Sequence, residues 1–139
     1  MIGDEINCLK NVGRVKLRHA TSHCQSLNAG QILPRSKQEA DDLVSALLSL
    51  DLVPSESGEI LVSIGMYKKN EGKWYDSAGQ LISYFNWLPD EPDDIDGTQN
   101  YAGFSIIGVN ETGRWADYSG FETLNVVCTM RAGQGKNNK

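Results

Sequence analysis

The chain has 139 residues, 40% hydrophobic and 22% charged, which suits one globular domain with a single core and is too short for two. Its net charge of −5, with only 13 Lys and Arg residues, argues against nucleic acids and anionic membranes as partners. The longest uncharged hydrophobic stretch, at about residues 43–50, is far too short to span a bilayer, so membrane insertion is not expected.

The first half of the sequence predicts one short strand and two helices. The strand is expected at residues 13–17 and the first helix at about residues 20–27. The second helix has a clear start, because Ser36 followed three residues later by Glu39 forms a capping box. Apolar residues then recur at helical spacing, at Ala40, Leu43, Val44, Leu47 and Leu48.

After residue 58 the pattern changes to short strands and turns. The segments with the composition of strands are residues 60–64, 73–75, 81–84, 101–107, 113–116 and 124–130. A loop at about residues 87–99 separates the third of these from the fourth, and loops of this length in compact domains are often functional. Two helices followed by many short strands predict an α+β domain.

This loop contains a dense cluster of carboxylates. Five acids stand within seven residues around Pro92, at Asp90, Glu91, Asp93, Asp94 and Asp96. Like charges at this density repel one another, so the fold must leave them solvated or bring a cation to them. Calcium accepts about 6–8 oxygen ligands in irregular geometry, which a turn-rich acidic segment can supply.

The acidic run does not fit an EF-hand. If Gly97 takes the glycine position of that motif, Pro92 falls at the first ligand position and Gly103 at the twelfth, and neither can supply the required side chain. Any calcium site here is therefore a loop site, and a solvated acidic loop is the alternative.

The three cysteines, Cys8, Cys24 and Cys128, match no zinc or redox motif. One disulfide with a spare thiol and three free thiols both fit this count. A bridge between Cys24 and Cys128 would close a loop of about 100 residues and contribute about 4–5 kcal/mol. The acidic start, residues 1–5, shows no signal peptide, which leaves a cytoplasmic chain and a mature secreted form as alternatives.

A series of short motifs appears in a characteristic order. It comprises Ala20 four residues before Cys24, Leu33-Pro34 with Ser36, Ser63-Ile64-Gly65-Met66, Gly72-Lys73-Trp74, Asn86-Trp87, Glu91-Pro92-Asp93, Trp115-Ala116-Asp117 and Val126-Val127-Cys128. In this order and spacing the chain resembles the C-type lectin-like domain. The resemblance implies an α+β fold of two helices, small antiparallel sheets and a long calcium-binding loop. It assigns residues 13–130 to the domain, 1–12 to an N-terminal segment and 131–139 to a flexible tail.

The resemblance also implies a disulfide between Cys24 and Cys128. A second family disulfide would join the positions of Tyr101 and Gly120, and both cysteines are absent here. Cys8 lies outside the matched region, which leaves a bridge between two copies of the chain and a free thiol as alternatives.

The resemblance implies a calcium site that also holds the sugar. Glu91 and Asp93 carry over as carboxylate ligands, with a cis bond expected before Pro92, and Asp117 carries over as a third. Gln99 replaces a family glutamate, and Ala116 replaces an asparagine and offers no side-chain oxygen.

The same four ligands, Glu91, Asp93, Gln99 and Asp117, are predicted to contact the sugar, with Tyr118 as a surface aromatic beside it. A second calcium site of the family is not expected. Glu71 and Asp94 fall near its positions, but its companion aspartate falls at about Tyr67 or Lys68.

The resulting prediction is a secreted lectin that binds glycans through Ca²⁺, with mannose- or GlcNAc-type ligands slightly favoured over galactose. A homodimer, formed through Cys8, would give it useful avidity. The alternative is a module of the same fold that binds a protein, mineral or ice surface without sugar. No nucleophile motif or phosphate-binding loop indicates an enzyme.

Overall fold

The computed structural model describes residues 8–69, 71–94, 97–107 and 113–130, and of Cys8 and Ile107 it describes only the backbone. The predicted tail at residues 131–139 lies outside these ranges. The elements in chain order are β1 (Cys8–Lys16), α1 (Leu17–Gln25), β2 (Gly30–Gln31), α2 (Lys37–Leu47), β3 (Ile60–Lys68), β4 (Trp74–Asp76), β5 (Tyr101–Ile107), β6 (Trp115–Tyr118) and β7 (Thr123–Met130).

The strands form one mixed sheet in the order β1-β7-β3-β5-β6, with β2 also paired to β7 and β4 to β3. All pairings are antiparallel except that of β3 with β7, which is parallel at Val62 and Asn125. The expected small antiparallel sheets are therefore joined at this pairing. Asn125 fastens the joint, because its buried amide donates to the carbonyls of Val53 (2.9 Å) and Leu61 (3.0 Å) and accepts from the Val53 N–H (3.0 Å).

The first strand and helix begin earlier than the sequence indicates, because contacts with distant residues extend them. Strand β1 pairs with β7 as far as Cys8, with a shift in register between Asn11 and Arg14. Helix α1 has no side-chain cap at its start. Instead the N–H groups of Leu17 and Arg18 donate to the carbonyls of residues 122 and 120 in the turn between β6 and β7 (2.9 and 3.0 Å).

The capping box predicted for α2 is confirmed at its first bond. The Ser36 hydroxyl accepts the Glu39 N–H at 3.2 Å, while the Glu39 carboxylate accepts the N–H of Arg35 at 3.0 Å. The return bond therefore reaches one residue further back than the motif requires. The buried residues of α2 include Ala40 and Leu47, so the apolar stripe of this helix faces the sheet.

The main core lies between α2, the sheet and the segment that precedes β5. Its largest fully buried side chains include those of Trp115, Phe104, Leu47, Ile64 and Met66. A smaller cluster forms around Cys24 and Cys128, which are fully buried and joined in a disulfide, as the resemblance implies. This bond fixes α1 to β7.

The chain between β4 and β5 has little regular structure, and the strand expected at residues 81–84 is reduced to a single bridge between Leu81 and Tyr75. Elsewhere, a close contact occupies the positions of the absent second disulfide. A Cβ on Gly120 would lie 2.8 Å from the ring of Tyr101, so the Tyr101 ring packs against the backbone of Gly120. No helix within the described ranges is long and apolar enough to cross a membrane.

Candidate metal centre

Strand β6 sets the orientation of Asp117. Successive residues of a strand point to opposite faces, so Asp117 shares a face with Trp115, whose side chain is fully buried. Asp117 is itself only 3% exposed. A carboxylate buried to this extent needs hydrogen-bond donors or a cation to compensate for lost hydration.

The segment before the acidic residues runs alongside β6 and brings them to Asp117. The Trp115 N–H donates to the carbonyl of Asn86, and the Leu88 N–H donates to the carbonyl of Trp115, both at 2.8 Å. A turn follows, closed by the Glu91 N–H on the Leu88 carbonyl at 3.0 Å. The bond between Glu91 and Pro92 is cis, as expected from the resemblance.

The chain after Pro92 then folds over the Asp117 carboxylate. Its Oδ1 accepts the N–H of Asp93 at 3.2 Å, and its Oδ2 accepts the N–H of Asp94 at 2.9 Å. These bonds bring together one carboxyl oxygen from each of Glu91, Asp93 and Asp117, all within 4.8 Å of one another. Asp117 is buried, Glu91 is half-buried and Asp93 is exposed, so the cluster opens to solvent on one side.

One carboxyl oxygen of the cluster, on Glu91, lacks a hydrogen-bond donor from the described part of the chain. This oxygen, Oε1, is buried. Burial, a hydrogen bond with Asp117 and the negative charges of Asp93 and Asp117 raise the pKa of Glu91 to about 7. A proton relieves the repulsion in the absence of metal. A hard cation accepted by the same oxygens would relieve it as well, so the donor set fits calcium.

The other residues predicted for the site are placed less directly. Gln99 is half-buried, and its N–H donates to Asp94 Oδ1 at 2.9 Å, which holds it beside the acidic segment. Ala116 pairs with Gly103 inside the sheet. Tyr118 alternates to the face opposite Asp117, where its ring lies against Gly103 and burial raises its pKa. The Tyr118 ring therefore lies on the opposite face of β6 from the Asp117 side chain, while the negative charges of Glu91 and Asp117 also contribute to its raised pKa.

The five acids of the run have different roles. Glu91 and Asp93 join Asp117, while Asp90 is exposed, with a positive φ of 69°. Asp96 lies outside the described residues. Asp94 forms an ion pair with Lys68, Nζ to Oδ2 at 2.8 Å. The sequence did not predict this pair, because Lys68 drew attention only as a position where the second calcium site would need an aspartate. Glu71, the other residue near the second family site, accepts a hydrogen bond from the Tyr75 hydroxyl.

Comparison with known proteins supports the fold. No protein-family model matches the chain. Human lithostathine-1-alpha is 26% identical, and human lithostathine-1-beta 27% identical, over 116 residues that cover 81% of this chain. The matched region is 64% of each relative, so the chain spans a little less than two thirds of their length.

Solved structures match over nearly the whole chain. The C-type lectin CEL-I from Cucumaria echinata superposes with a TM-score of 0.72 at 23% identity, covering 91% of this chain and 90% of that one. The carbohydrate-recognition domain of mouse scavenger receptor C-type lectin gives 0.69 at 20% identity, with 89% and 87% covered. That of cow CD23, solved in the presence of a GlcNAc2Man3 oligosaccharide, gives 0.66 at 24% identity, with 89% and 85% covered. The chain therefore has the C-type lectin-like fold.

Proposed function

We propose that this chain is a secreted module that binds carbohydrate through a calcium ion held by Glu91, Asp93 and Asp117. The observation that carries the proposal is the approach of three carboxyl groups to within 4.8 Å, one from strand β6 and two from the irregular segment before β5. The buried Oε1 of Glu91, without a hydrogen-bond partner among the described residues, supports it, because the protein leaves this oxygen available for a cation.

Calcium, when bound, would supply a positive centre that polarises two neighbouring sugar hydroxyls. The three carboxylates provide at least three of its roughly 6–8 oxygen ligands, and Gln99 is proposed as an amide ligand. Ala116 provides none, so water or sugar oxygens are needed to complete the shell. We therefore expect modest affinity, in the range of about 10⁻⁴–10⁻³ M seen in extracellular modules.

The residues around the ion also limit which hydroxyls can bind. Ionised Glu91 and Asp93 only accept hydrogen bonds, so a sugar must donate from both of its metal-bound hydroxyls. Glu91 stands where the resemblance favours mannose- or GlcNAc-type ligands, and the cow CD23 domain was solved with an oligosaccharide of these sugars. We propose that class of ligand ahead of galactose. Because the Tyr118 ring faces the other way, it is left out of the proposed contacts.

The test combines binding to sugar resins with thermal unfolding. Wild-type protein is expected to bind a mannose or GlcNAc resin in millimolar calcium, to elute with EDTA, and to unfold at a higher temperature with calcium. Asp93→Ala should abolish all three effects. Asp51→Ala, which removes an exposed acid far from the cluster in sequence, is the control and should behave as wild type. Undiminished calcium-dependent binding by Asp93→Ala would overturn the assignment.

The second candidate is a module of this fold that binds a protein, mineral or ice surface without sugar. The observation that favours it is the methyl group of Ala116, which offers no oxygen on the strand that carries Asp117. Calcium-dependent stabilisation without retention on mannose, GlcNAc or galactose resins would select this candidate. No catalytic activity is proposed.

Secretion and dimer formation complete the proposal. Disulfides such as that between Cys24 and Cys128 persist in oxidising compartments, which supports an extracellular location. A single weak site gains avidity when copies are clustered, so a homodimer linked through Cys8 remains proposed. The Cys8 side chain lies outside the described part of the chain.

A further inference from the structure

Lys68 occupies an unusual position for a lysine. It is the last residue of β3, and its side chain is only 15% exposed. Its ammonium group donates to Asp94 Oδ2 at 2.8 Å. The pair of Lys37 and Asp41 on α2, by comparison, has side chains that are 82% and 62% exposed. The Lys68 side chain is thus largely covered by protein, and its ammonium group has Asp94 as an ion-pair partner.

Asp94 connects Lys68 to the carboxylate cluster through hydrogen bonds. Its Oδ1 accepts the Gln99 N–H and its Oδ2 accepts the Lys68 ammonium, so both oxygens are engaged by protein groups. Its own N–H donates to Asp117 Oδ2. Asp94 has a φ of 43°, a left-handed conformation that costs energy for a residue other than glycine and persists only where the surroundings hold it.

The backbone of Lys68 adds a second point of attachment. Its N–H donates to the carbonyl of Asn100 at 2.9 Å, while its side chain holds Asp94. Lys68 therefore bonds to both Asp94 and Asn100, and Asp94 is part of the chain that covers Asp117.

We propose that Lys68 is a positioning residue for the cation site, a built-in positive charge that holds the backbone of Asp93 and Asp94 on the Asp117 carboxylate. This rests on the proposed calcium-binding function. The Lys68 ammonium binds Asp94 as a second metal ion could, and it holds this part of the backbone in place when no metal is bound. A pre-arranged site loses less conformational entropy when it binds its ion. Lys68 therefore increases calcium affinity, although its positive charge repels the calcium ion.

The charge and the attachment have opposite effects on affinity, which makes the test decisive. A cation near the site repels calcium, so if charge dominates, Lys68→Met binds calcium more tightly. If attachment dominates, the same variant binds more weakly by about 10–100-fold, the usual effect of removing a partner that orients a metal ligand. Lys68→Arg, which keeps the charge and a donor to Asp94, should return affinity to near the wild-type value.

Calcium and terbium titrations measure this effect directly, with terbium luminescence sensitised by tryptophans near the site. Lys37→Met removes an exposed lysine and its ion pair and serves as the matched control. We expect weaker binding for Lys68→Met, recovery with Lys68→Arg and no change for the control. Unchanged or tighter binding by Lys68→Met would overturn the inference.

A second measurement separates this inference from the proposed function. Amide hydrogen exchange in EDTA needs no metal, and the amides of Asp94 and Gln99 are hydrogen-bonded within this network. They should exchange at least about tenfold faster in Lys68→Met than in wild type, with no change in the sheet. If wild type binds no calcium, the proposed function fails, and the exchange result still decides whether Lys68 holds the segment.

Discussion

Glu91 combines a buried oxygen with close negative neighbours, and this has a consequence for stability. Its pKa is raised from an ordinary 4.5 to about 7 in the metal-free fold. Between these values the folded chain keeps a proton that the unfolded chain has lost. The free energy of unfolding therefore falls as the pH rises through this window, and below it both states are protonated.

We predict that Glu91→Gln stabilises the chelated protein at pH 8 and leaves it nearly unchanged at pH 4. The expected gain is about 1–2 kcal/mol, less than the full shift implies because Glu91 is partly solvated. The same variant should lose its calcium-dependent rise in melting temperature. Chemical unfolding in EDTA at both pH values measures the effect, with Glu56→Gln in an exposed turn as the control. Equal effects of Glu91→Gln at the two pH values would contradict this prediction.

At the scale of elements, Asn125 holds the sheet together where its two antiparallel parts meet. Its side chain is 2% exposed, and its three hydrogen bonds join β7 to β3 and to the chain at Val53. The groups that Asn125 bonds on Val53 and Leu61 belong to the backbone, so they remain polar whichever side chains stand at these two positions. The joint depends on this one amide as well as on the parallel pairing.

Asn125→Ala should therefore cost about 3 kcal/mol of stability, because it leaves backbone groups without partners in a buried place. Urea unfolding in EDTA measures this loss. Asn11→Ala, whose side chain makes more accessible bonds to residues 13 and 51, should cost less than about 1 kcal/mol. If Asn125→Ala also lost less than about 1 kcal/mol, the parallel pairing of β3 with β7 would be sufficient to join the two parts of the sheet.

The sequence predicts the elements whose signals are local and misses those set by distant contacts. The start of α2 is marked by Ser36 and Glu39, and β5 has the predicted bounds. The start of α1 depends on carbonyls more than a hundred residues away, which no local pattern reports. For the site, the order of motifs predicts Glu91, Asp93 and Asp117. Strand alternation, which turns Tyr118 away, and the ion pair of Lys68 follow only from the fold.

At the scale of the whole molecule, the disulfide and the carboxylate cluster belong to different parts of the sheet. The disulfide links α1 to β7, while Asp117 lies on the edge strand β6, and β3 and β5 lie between β7 and β6. The two features share no residue. Their contributions to stability and to binding should therefore be nearly independent.

We predict that Cys24→Ala combined with Cys128→Ala lowers the free energy of unfolding by about 3–5 kcal/mol, because the bond closes a large loop. While the protein remains folded at low temperature, its calcium affinity should stay within about twofold of wild type. Cys8→Ser is the control and should retain the stability of the disulfide-bonded chain. Loss of calcium affinity in the folded double variant would contradict the independence of the two features.

The cluster also joins two parts of the chain that differ in regularity. Asp117 belongs to a strand, whereas Glu91 and Asp93 lie on a segment with little regular structure. An ion shared by the three carboxylates is thus a cross-link between loop and sheet. Proteases cleave segments that open locally, so the loss of such an ion would expose the peptide bonds around Glu91 to cleavage. Under the proposed function, the supply of calcium sets how long the molecule survives outside the cell as well as what it binds.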